Sequence, residues 1–194
     1  PTVKGMWCVP KYSNPDGIVY SDETIDRIAA LHPAAPDFAL MWDNAYCIHE
    51  IYGEFIPFRD ILSLCRAQGN ADMVYEFAST SKITFPGAGV GYMAMSKENV
   101  EFTAKQLNAQ AISWDKLNML RHVRYFKNAD GLRAQMDKHA ALLRPKFDAV
   151  LKALDSELAG RGAGRWVKPD GGYFVTYIAE NGCAKRIVSL CKEA

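Results

Sequence analysis

The sequence predicts an α/β fold whose sheet is mostly parallel. Apolar, β-favouring runs at 3–9, 38–42 and 73–78 are separated by segments in which apolar residues recur at helical spacing. This alternation of strands and helices is the pattern of a parallel sheet with crossover helices. The run at 38–42 is apolar without alternation, which is typical of a strand buried on both faces.

Turn residues and capping residues separate the elements of the first half. The first strand ends in the turn cluster at 10–17, and Ser21 is the predicted N-cap of a helix that stops at the breakers 32–36. The predicted elements, in order, are a strand at 3–9, a helix at 21–31, a strand at 38–42, a helix at 60–68, a strand at 73–78 and a further strand after the glycine-rich stretch 87–91.

The second half is predicted to be mainly helical. Helices are expected near 97–110 and 115–126, and a sustained amphipathic pattern predicts one long helix over 131–158, which Pro145 is able to kink. A helix of this length commonly joins two domains. After it, the sequence predicts a hairpin between 166–167 and 173–178 and a final helix that begins near Cys183.

Composition excludes several classes of function. Lys+Arg 23 and Asp+Glu 22 give a formal net charge of +1, so no strong field attracts nucleic acid or an acidic membrane surface. No apolar run approaches the roughly 20 residues of a bilayer span, and the first residues do not resemble a signal sequence. We therefore predict a cytoplasmic protein without nucleic-acid or membrane partners. The 5 cysteines contain no C-x-x-C pair and suggest neither a disulfide framework nor a metal site.

Polar residues follow the predicted strands at their carboxyl ends, the edge at which open α/β sheets bind ligands. These residues are Asn14 after the first strand, Asp43 and Tyr46 after the second, and Ser79, Ser81 and Lys82 after the third. A heteroaromatic phosphate that forms an imine would use all of them. The amine would form a Schiff base, the acid would keep a ring nitrogen protonated, the phenol and amide would bind a ring oxygen, and the hydroxyls would bind the phosphate.

Three of these segments resemble motifs of pyridoxal-phosphate enzymes of fold type I. Residues 14–17, 43–46 and 79–82 resemble the N-P-x-G, D-x-x-Y and S-x-S-K motifs of class I/II aminotransferases, in the family's order. Residues 79–84 and 87–90 are most similar to the aspartate aminotransferase subgroup near MocR-like sequences. The resemblance implies part of the large pyridoxal-phosphate-binding domain, with its mostly parallel sheet, plus part of the small α+β domain.

The resemblance also implies a role for each site residue. Lys82 would hold pyridoxal 5′-phosphate as a Schiff base and move a proton during transamination, while Asp43 would pair with the pyridinium nitrogen. Lys82, Asp43 and Tyr46 are the predicted catalytic residues. The remaining cofactor contacts would be those of Tyr46 and Asn14 with the ring oxygen and those of Ser79 and Ser81 with the phosphate.

The chain departs from the family pattern in one motif and covers only part of the expected length. The family usually places a phosphate-binding arginine in a G-x-R-x-G context, but residues 87–91 contain none. The chain also opens without methionine and stops inside a predicted helix, so we expect a fragment covering the second half of a family member. Residues 1–130 would be the carboxyl-side part of the large domain, and residues 131–194 the interdomain helix and part of the small domain.

These features predict an aminotransferase that acts on an amino acid, with aspartate as the expected substrate, and a 2-oxo acid. The full-length protein is expected to be a homodimer. The 194 residues alone would lack part of the phosphate site and the arginine that binds the substrate carboxylate, so we expect them to be inactive. The alternative is the aminotransferase-like effector-binding domain of a MocR-type transcriptional regulator.

Several residues also have simpler interpretations. Asp43 could be a helix cap, and His49 could be a structural histidine as well as a support for the site. Trp7 and Trp42 are predicted to lie in the core. His122, Arg121 and Arg124 are predicted to form a small basic helix face that is solvated or at a subunit contact.

Overall fold

A four-stranded sheet organises the first half of the chain. The computed structural model describes residues 2–193. The first three strands are parallel in sequential order, and the fourth pairs antiparallel with the third, which confirms a mostly parallel sheet. The strands are β1 (Gly5–Cys8), β2 (Ala39–Asp43), β3 (Val74–Ser79) and β4 (Gly91–Met95).

Two short helices connect the parallel strands. They are α1 (Asp22–Ala29) and α2 (Ile61–Ala67), and each begins where a side chain accepts a backbone hydrogen bond. Ser21 Oγ accepts from Thr24 N–H at 3.2 Å, and Asp60 Oδ1 accepts from Ser63 N–H at 3.1 Å. Because both crossovers advance in the same direction across the sheet, a right-handed connection places both helices on one face.

The core lies between these helices and that single face of the sheet. Leu40 and Trp42 of β2 are fully buried in it, whereas Ala39 and Met41 on the opposite face are only half-buried. The prediction that this strand is buried on both faces is therefore wrong. Trp42 lies in the core as predicted, but Trp7 is 67% exposed on the opposite face. The buried cluster consists of Cys8, Ile25, Ala29, Leu40, Trp42, Ile61, Cys65, Met73 and Val74.

Helices dominate the second half, as the sequence predicts. The helix α5 runs without interruption through Pro145. No helix within residues 2–193 combines the length and the apolar character needed to cross a bilayer. The elements are α3 (Lys97–Gln110), α4 (Lys116–Phe126), α5 (Ala129–Leu158), β5 (Gly164–Trp166), β6 (Tyr177–Ala179) and α6 (Ala184–Glu193).

The predicted hairpin is shorter than expected because the residues before β6 leave it. The strands β5 and β6 pair antiparallel, but Gly171 forms an isolated bridge with Glu50 instead. Gly172 N–H donates to His49 O at 2.8 Å. A Cβ atom on Gly171 would lie 2.3 Å from His49 O, so only glycine allows this approach. The contact carries Tyr173 and Phe174 to the carboxyl edge of the main sheet.

The two tryptophans provide a matched test of which sheet face forms the core. Trp42 packs against Tyr20 and Phe58 with ring centroids 6.0 and 6.3 Å away, so Trp42→Ala should lower the free energy of unfolding by about 3–5 kcal/mol. Trp7 stacks on Phe77 but is 67% exposed, so Trp7→Ala should cost about 1 kcal/mol or less. Urea denaturation of the 194-residue chain, followed by circular dichroism, measures both. Equal losses would contradict a core confined to one face.

Candidate active site

The carboxyl ends of β2 and β3 bring two of the predicted motifs to the same edge of the sheet. Asp43 is the last residue of β2 and Ser79 is the last residue of β3. The two strands are in parallel register, with Asp43 opposite Phe77. Asn44 N–H continues the ladder by donating to Phe77 O at 2.8 Å. The segments that follow the two strands are therefore held side by side.

Lys82 meets the D-x-x-Y segment across this edge. Its ammonium lies 4.8 Å from the centroid of the Tyr46 ring, which is only 5% exposed. The turn that presents Lys82 is closed by the N–H groups of Ile83 and Thr84, both of which donate to Thr80 O at 2.9 Å. A cation over an aromatic face is attracted by the ring quadrupole. The contact joins the S-x-S-K motif to the segment that begins with the strand-end carboxylate.

The Asp43 carboxylate is only partly engaged by its own turn. Its Oδ1 accepts a hydrogen bond from Ala45 N–H at 3.1 Å, so the carboxylate caps a turn, and the simpler interpretation of a helix cap is wrong because no described helix begins here. Within the described residues, Oδ2 has no hydrogen-bond or ion-pair partner, and the side chain is half-buried. One carboxylate oxygen therefore remains able to pair with a cationic ring nitrogen.

The two serine hydroxyls of the S-x-S-K motif lie next to one another. Ser79 Oγ and Ser81 Oγ are 2.8 Å apart, and Ser81 N–H donates to Ser79 Oγ at 3.1 Å. Two hydroxyls at this spacing suit the oxygens of one phosphate group.

The missing arginine has a steric explanation. Gly89 occupies the position at which the G-x-R-x-G pattern has arginine, and its backbone lies against Ser81. A Cβ atom there would come within 2.1 Å of Ser81 Oγ and 2.7 Å of Ser81 N. No side chain fits at this position without moving the turn, so the loop packs directly on the serine motif.

Asn14 lies at the margin of this group. Its side chain is exposed, in a turn closed by Gly17 N–H donating to Ser13 O at 2.6 Å. A Cβ atom on Gly17 would lie 3.3 Å from Phe174 O, and the Phe174 ring is 6.2 Å from that of Tyr46. Within residues 2–193, Asn14 forms no hydrogen bond with the other predicted site residues. The structure therefore brings the other five site residues to one edge, and Gly17, in the turn that contains Asn14, lies against Phe174, which packs on Tyr46.

A buried lysine that sequence reasoning missed supports the segment after Tyr46. The Lys11 side chain is fully buried, and its ammonium pairs with the Glu50 carboxylate. It also donates to Cys47 O at 2.9 Å and Ile56 O at 2.8 Å, so all three N–H donors have acceptors. This ion pair fixes residues 47–56 against the loop that follows β1. No local pattern distinguishes this lysine from a solvated one.

His49 and Tyr173 both contact the backbone of Lys82. His49 Nε2 lies 3.3 Å from Lys82 O, and the Tyr173 hydroxyl donates to the same oxygen at 3.0 Å. His49 is 3% exposed, and its Nδ1 has no hydrogen-bond partner within the described chain. Burial lowers the pKa of His49 to about 4, which its hydrogen bond to Lys82 O offsets only partly. His49 is thus a buried neutral histidine that also supports the site.

The available groups fit pyridoxal phosphate. The edge offers an amine, a phenol, two adjacent hydroxyls and a carboxylate with one oxygen that has no partner among the described residues. These groups match the carbonyl, ring oxygen, phosphate and ring nitrogen of the cofactor. Within residues 2–193, no cluster of three or more His, Cys, Asp or Glu side chains is arranged to hold a metal ion.

Comparison with known proteins gives the family. A family model described as aspartate amino-transferase matches residues 1–194. The chain belongs to this family. An aspartate aminotransferase of Corynebacterium glutamicum is 46% identical over 194 residues, which cover 100% of this chain and 45% of that relative. The chain thus spans less than half of the length of this family member.

Solved structures of aminotransferases confirm the predicted fold. A crystal structure of an aspartate transaminase from Corynebacterium glutamicum superposes with a TM-score of 0.97 at 46% identity, covering 100% of this chain and 46% of that one. The α-aminoadipate aminotransferase LysN of Thermus thermophilus, complexed with N-(5′-phosphopyridoxyl)-L-leucine, gives a TM-score of 0.75 at 21% identity. This superposition covers 96% of this chain and 46% of the LysN chain. The chain has the architecture of the fold type I family.

The buried His49 predicts a pH dependence of stability. Its pKa is about 4 in the folded chain and about 6.5 when solvated, so between these values only the unfolded chain is protonated at this residue. The contribution of His49 to the free energy of unfolding is therefore fully present above about pH 6.5. It is lost as the pH falls towards 4, and the loss amounts to about 3 kcal/mol.

The measurement compares the unfolding free energy of wild type and His49→Gln at pH 7 and pH 4. Glutamine can still donate to Lys82 O but does not titrate, so the variant should lose about 3 kcal/mol less on acidification. Identical losses in both proteins would contradict a buried neutral His49.

Proposed function

We propose that the full-length protein is a pyridoxal-phosphate-dependent aminotransferase that moves the amino group of aspartate to a 2-oxo acid. The observation that carries this proposal is the Lys82 ammonium over the buried Tyr46 ring, at the edge where β2 ends in Asp43. The choice of aspartate follows the names of the relatives at 46% identity. No residue described here is assigned to the substrate side chain.

Each site residue has a distinct task in this proposal. Pyridoxal phosphate, when bound, supplies a conjugated ring that delocalises the electron pair left by the substrate α-proton. Lys82 would attach the cofactor through its amine until the substrate amine replaces it, and the freed Lys82 amine would then take that proton from the substrate and return it. The Asp43 carboxylate holds a proton at the ring nitrogen. Tyr46 donates to the ring oxygen, and an inward rotation of Asn14 would add a second donor there.

The phosphate would be bound by neutral hydroxyls. Ser79 and Ser81, whose hydroxyl oxygens lie 2.8 Å apart, would donate to it in place of their bond to one another, and Gly89 leaves no room for the family's arginine in this loop. We further propose that residues 1–130 belong to the large domain and residues 131–194 to the interdomain helix and small domain. The cytoplasmic location and the homodimer stay predictions. The comparisons give no support to the alternative of a transcriptional regulator.

Substitutions in the full-length protein test these roles. Lys82→Ala should lower kcat/KM for aspartate by about 10⁴-fold or more, because it removes both the covalent attachment and the proton-transfer group. The exposed Lys146 provides a control, since Lys146→Ala should retain wild-type activity. Transamination of aspartate, assayed by formation of the 2-oxo acid, gives the result. Substantial activity in Lys82→Ala, or no amino transfer by wild type from any amino acid, would refute the proposal.

Asp43→Ala should be far more damaging than Ser79→Ala. Removing one member of a buried ion pair costs about 3–5 kcal/mol, whereas one hydrogen bond to a charged group is worth about 1.5–3 kcal/mol. We expect kcat/KM to fall by about 10²–10³-fold or more for Asp43→Ala and by about 10–100-fold for Ser79→Ala. The reverse order would contradict the pairing of Asp43 with the ring nitrogen.

The 194 residues alone should bind pyridoxal phosphate weakly and lack activity. They correspond to 45% of the length of the aspartate aminotransferase relative, so much of that protein has no counterpart here. Absorbance spectroscopy of the isolated chain mixed with the cofactor tests this expectation. A visible band abolished both by borohydride and by Lys82→Ala would show that these residues suffice for binding.

A further inference from the structure

The helix α4 contacts the turn that presents Lys82. His122 Nε2 lies 2.8 Å from Thr80 Oγ1 and 3.2 Å from Thr84 Oγ1. These threonines lie on either side of Lys82. The solvated alternative for the basic face is therefore wrong for His122, because its ring is half-buried and hydrogen-bonded to this turn, whereas the alternative of a subunit contact stays a prediction.

The same face of α4 also contacts the second half of the loop at 80–90, which connects β3 to β4. Asn118 lies one turn before His122, and its Nδ2 donates to Ala88 O at 2.8 Å and is 3.4 Å from Gly89 O. Residues four apart lie on one side of a helix. A single face of α4 therefore contacts both the serine motif and the glycine-rich stretch that packs on it.

The hydrogen-bond partners define the proton positions on His122. Its Nδ1 lies 2.8 Å from Asn118 O, which can only accept, so Nδ1 carries the hydrogen. With Nδ1 protonated, Nε2 is the nitrogen that can accept from the Thr80 hydroxyl, which lies 2.8 Å away. Thr80 Oγ1 also accepts from Val90 N–H at 2.8 Å. The Thr80 hydroxyl is thus held between Val90 and His122. It connects the beginning and the end of the loop to α4.

Thr80 lies between the two serines of the motif, so fixing it also fixes their backbone. We propose that His122 is a positioning residue that acts through Thr80 to hold the two serine hydroxyls where they bind the 5′-phosphate of pyridoxal phosphate. The inference rests on the proposed function. It assigns to α4 the task of ordering a phosphate site whose loop has no room for a side chain at Gly89.

The test compares pyridoxal 5′-phosphate with pyridoxal, which has the same ring and aldehyde but no phosphate. In the full-length protein, His122→Leu removes the acceptor and Thr80→Val removes the donor while keeping its shape. We expect each variant to raise the Kd for pyridoxal phosphate about tenfold, the loss of about one hydrogen bond, and to leave the Kd for pyridoxal within about twofold. Absorbance titration of the apoprotein measures both constants.

Matched variants keep the result interpretable. Thr80→Ser retains the hydroxyl and should bind pyridoxal phosphate within about twofold of wild type, as should Lys116→Gln, an exposed change on α4. The ³¹P resonance of the bound phosphate should shift in Thr80→Val and not in Thr80→Ser. If His122→Leu does not fold, Thr80→Val tests the same hydrogen bond from its other end.

The outcomes separate this inference from the proposed function. Unchanged binding of pyridoxal phosphate in both His122→Leu and Thr80→Val, or equal weakening for pyridoxal and its phosphate, would overturn the role of His122 alone. Failure of the wild-type protein to bind pyridoxal phosphate would overturn the proposed function and, with it, this inference.

Discussion

The parallel pairing of β2 with β3 is the constraint on which the site depends. It sets Asp43 opposite Phe77, and the Asn44 hydrogen bond to Phe77 O extends the pairing one residue beyond the strand. The two strands therefore end at the same edge of the sheet, and the polar segments that follow them lie side by side there. In a sheet with a one-residue slip, side chains would move to the opposite face, and Asp43 would no longer lie on the same face as Ser79. Backbone hydrogen bonds thus determine the chemistry at this edge.

Glycines allow two close backbone approaches that complete the site. Gly171 lies against His49 O, where an added Cβ atom would be 2.3 Å away, and this contact brings Tyr173 to the Lys82 carbonyl. Gly89 lies against Ser81 in the same manner. In both contacts the absence of a side chain allows two backbone segments to approach closely. The contact at Gly89 also explains why the loop has no arginine at this position. In the proposed phosphate site, the geometry of this turn would therefore position the two serine hydroxyls.

Buried polar groups hold the segments around Lys82 in place. Lys11 is paired with Glu50 and two carbonyls, so its charge is compensated within the interior. His49 avoids a buried charge because desolvation lowers its pKa. His122 contributes a hydrogen-bond partner for Thr80 from outside the sheet. Removing one partner from such a network leaves the other unsatisfied, which makes the arrangement of the turns specific.

The sequence by itself determined the order of strands and helices and the three polar segments that follow the strands, because periodicity, caps and turn residues are local signals. It did not determine which faces of the sheet are covered. Trp7 and Trp42 have similar sequence surroundings, but the direction of both crossovers places α1 and α2 on the Trp42 side only. The roles of Lys11 and His122 were likewise decided by the tertiary structure. Their partners Glu50 and Thr80 lie about forty residues away in the chain, and a hydrogen bond over that separation leaves no local pattern in the sequence.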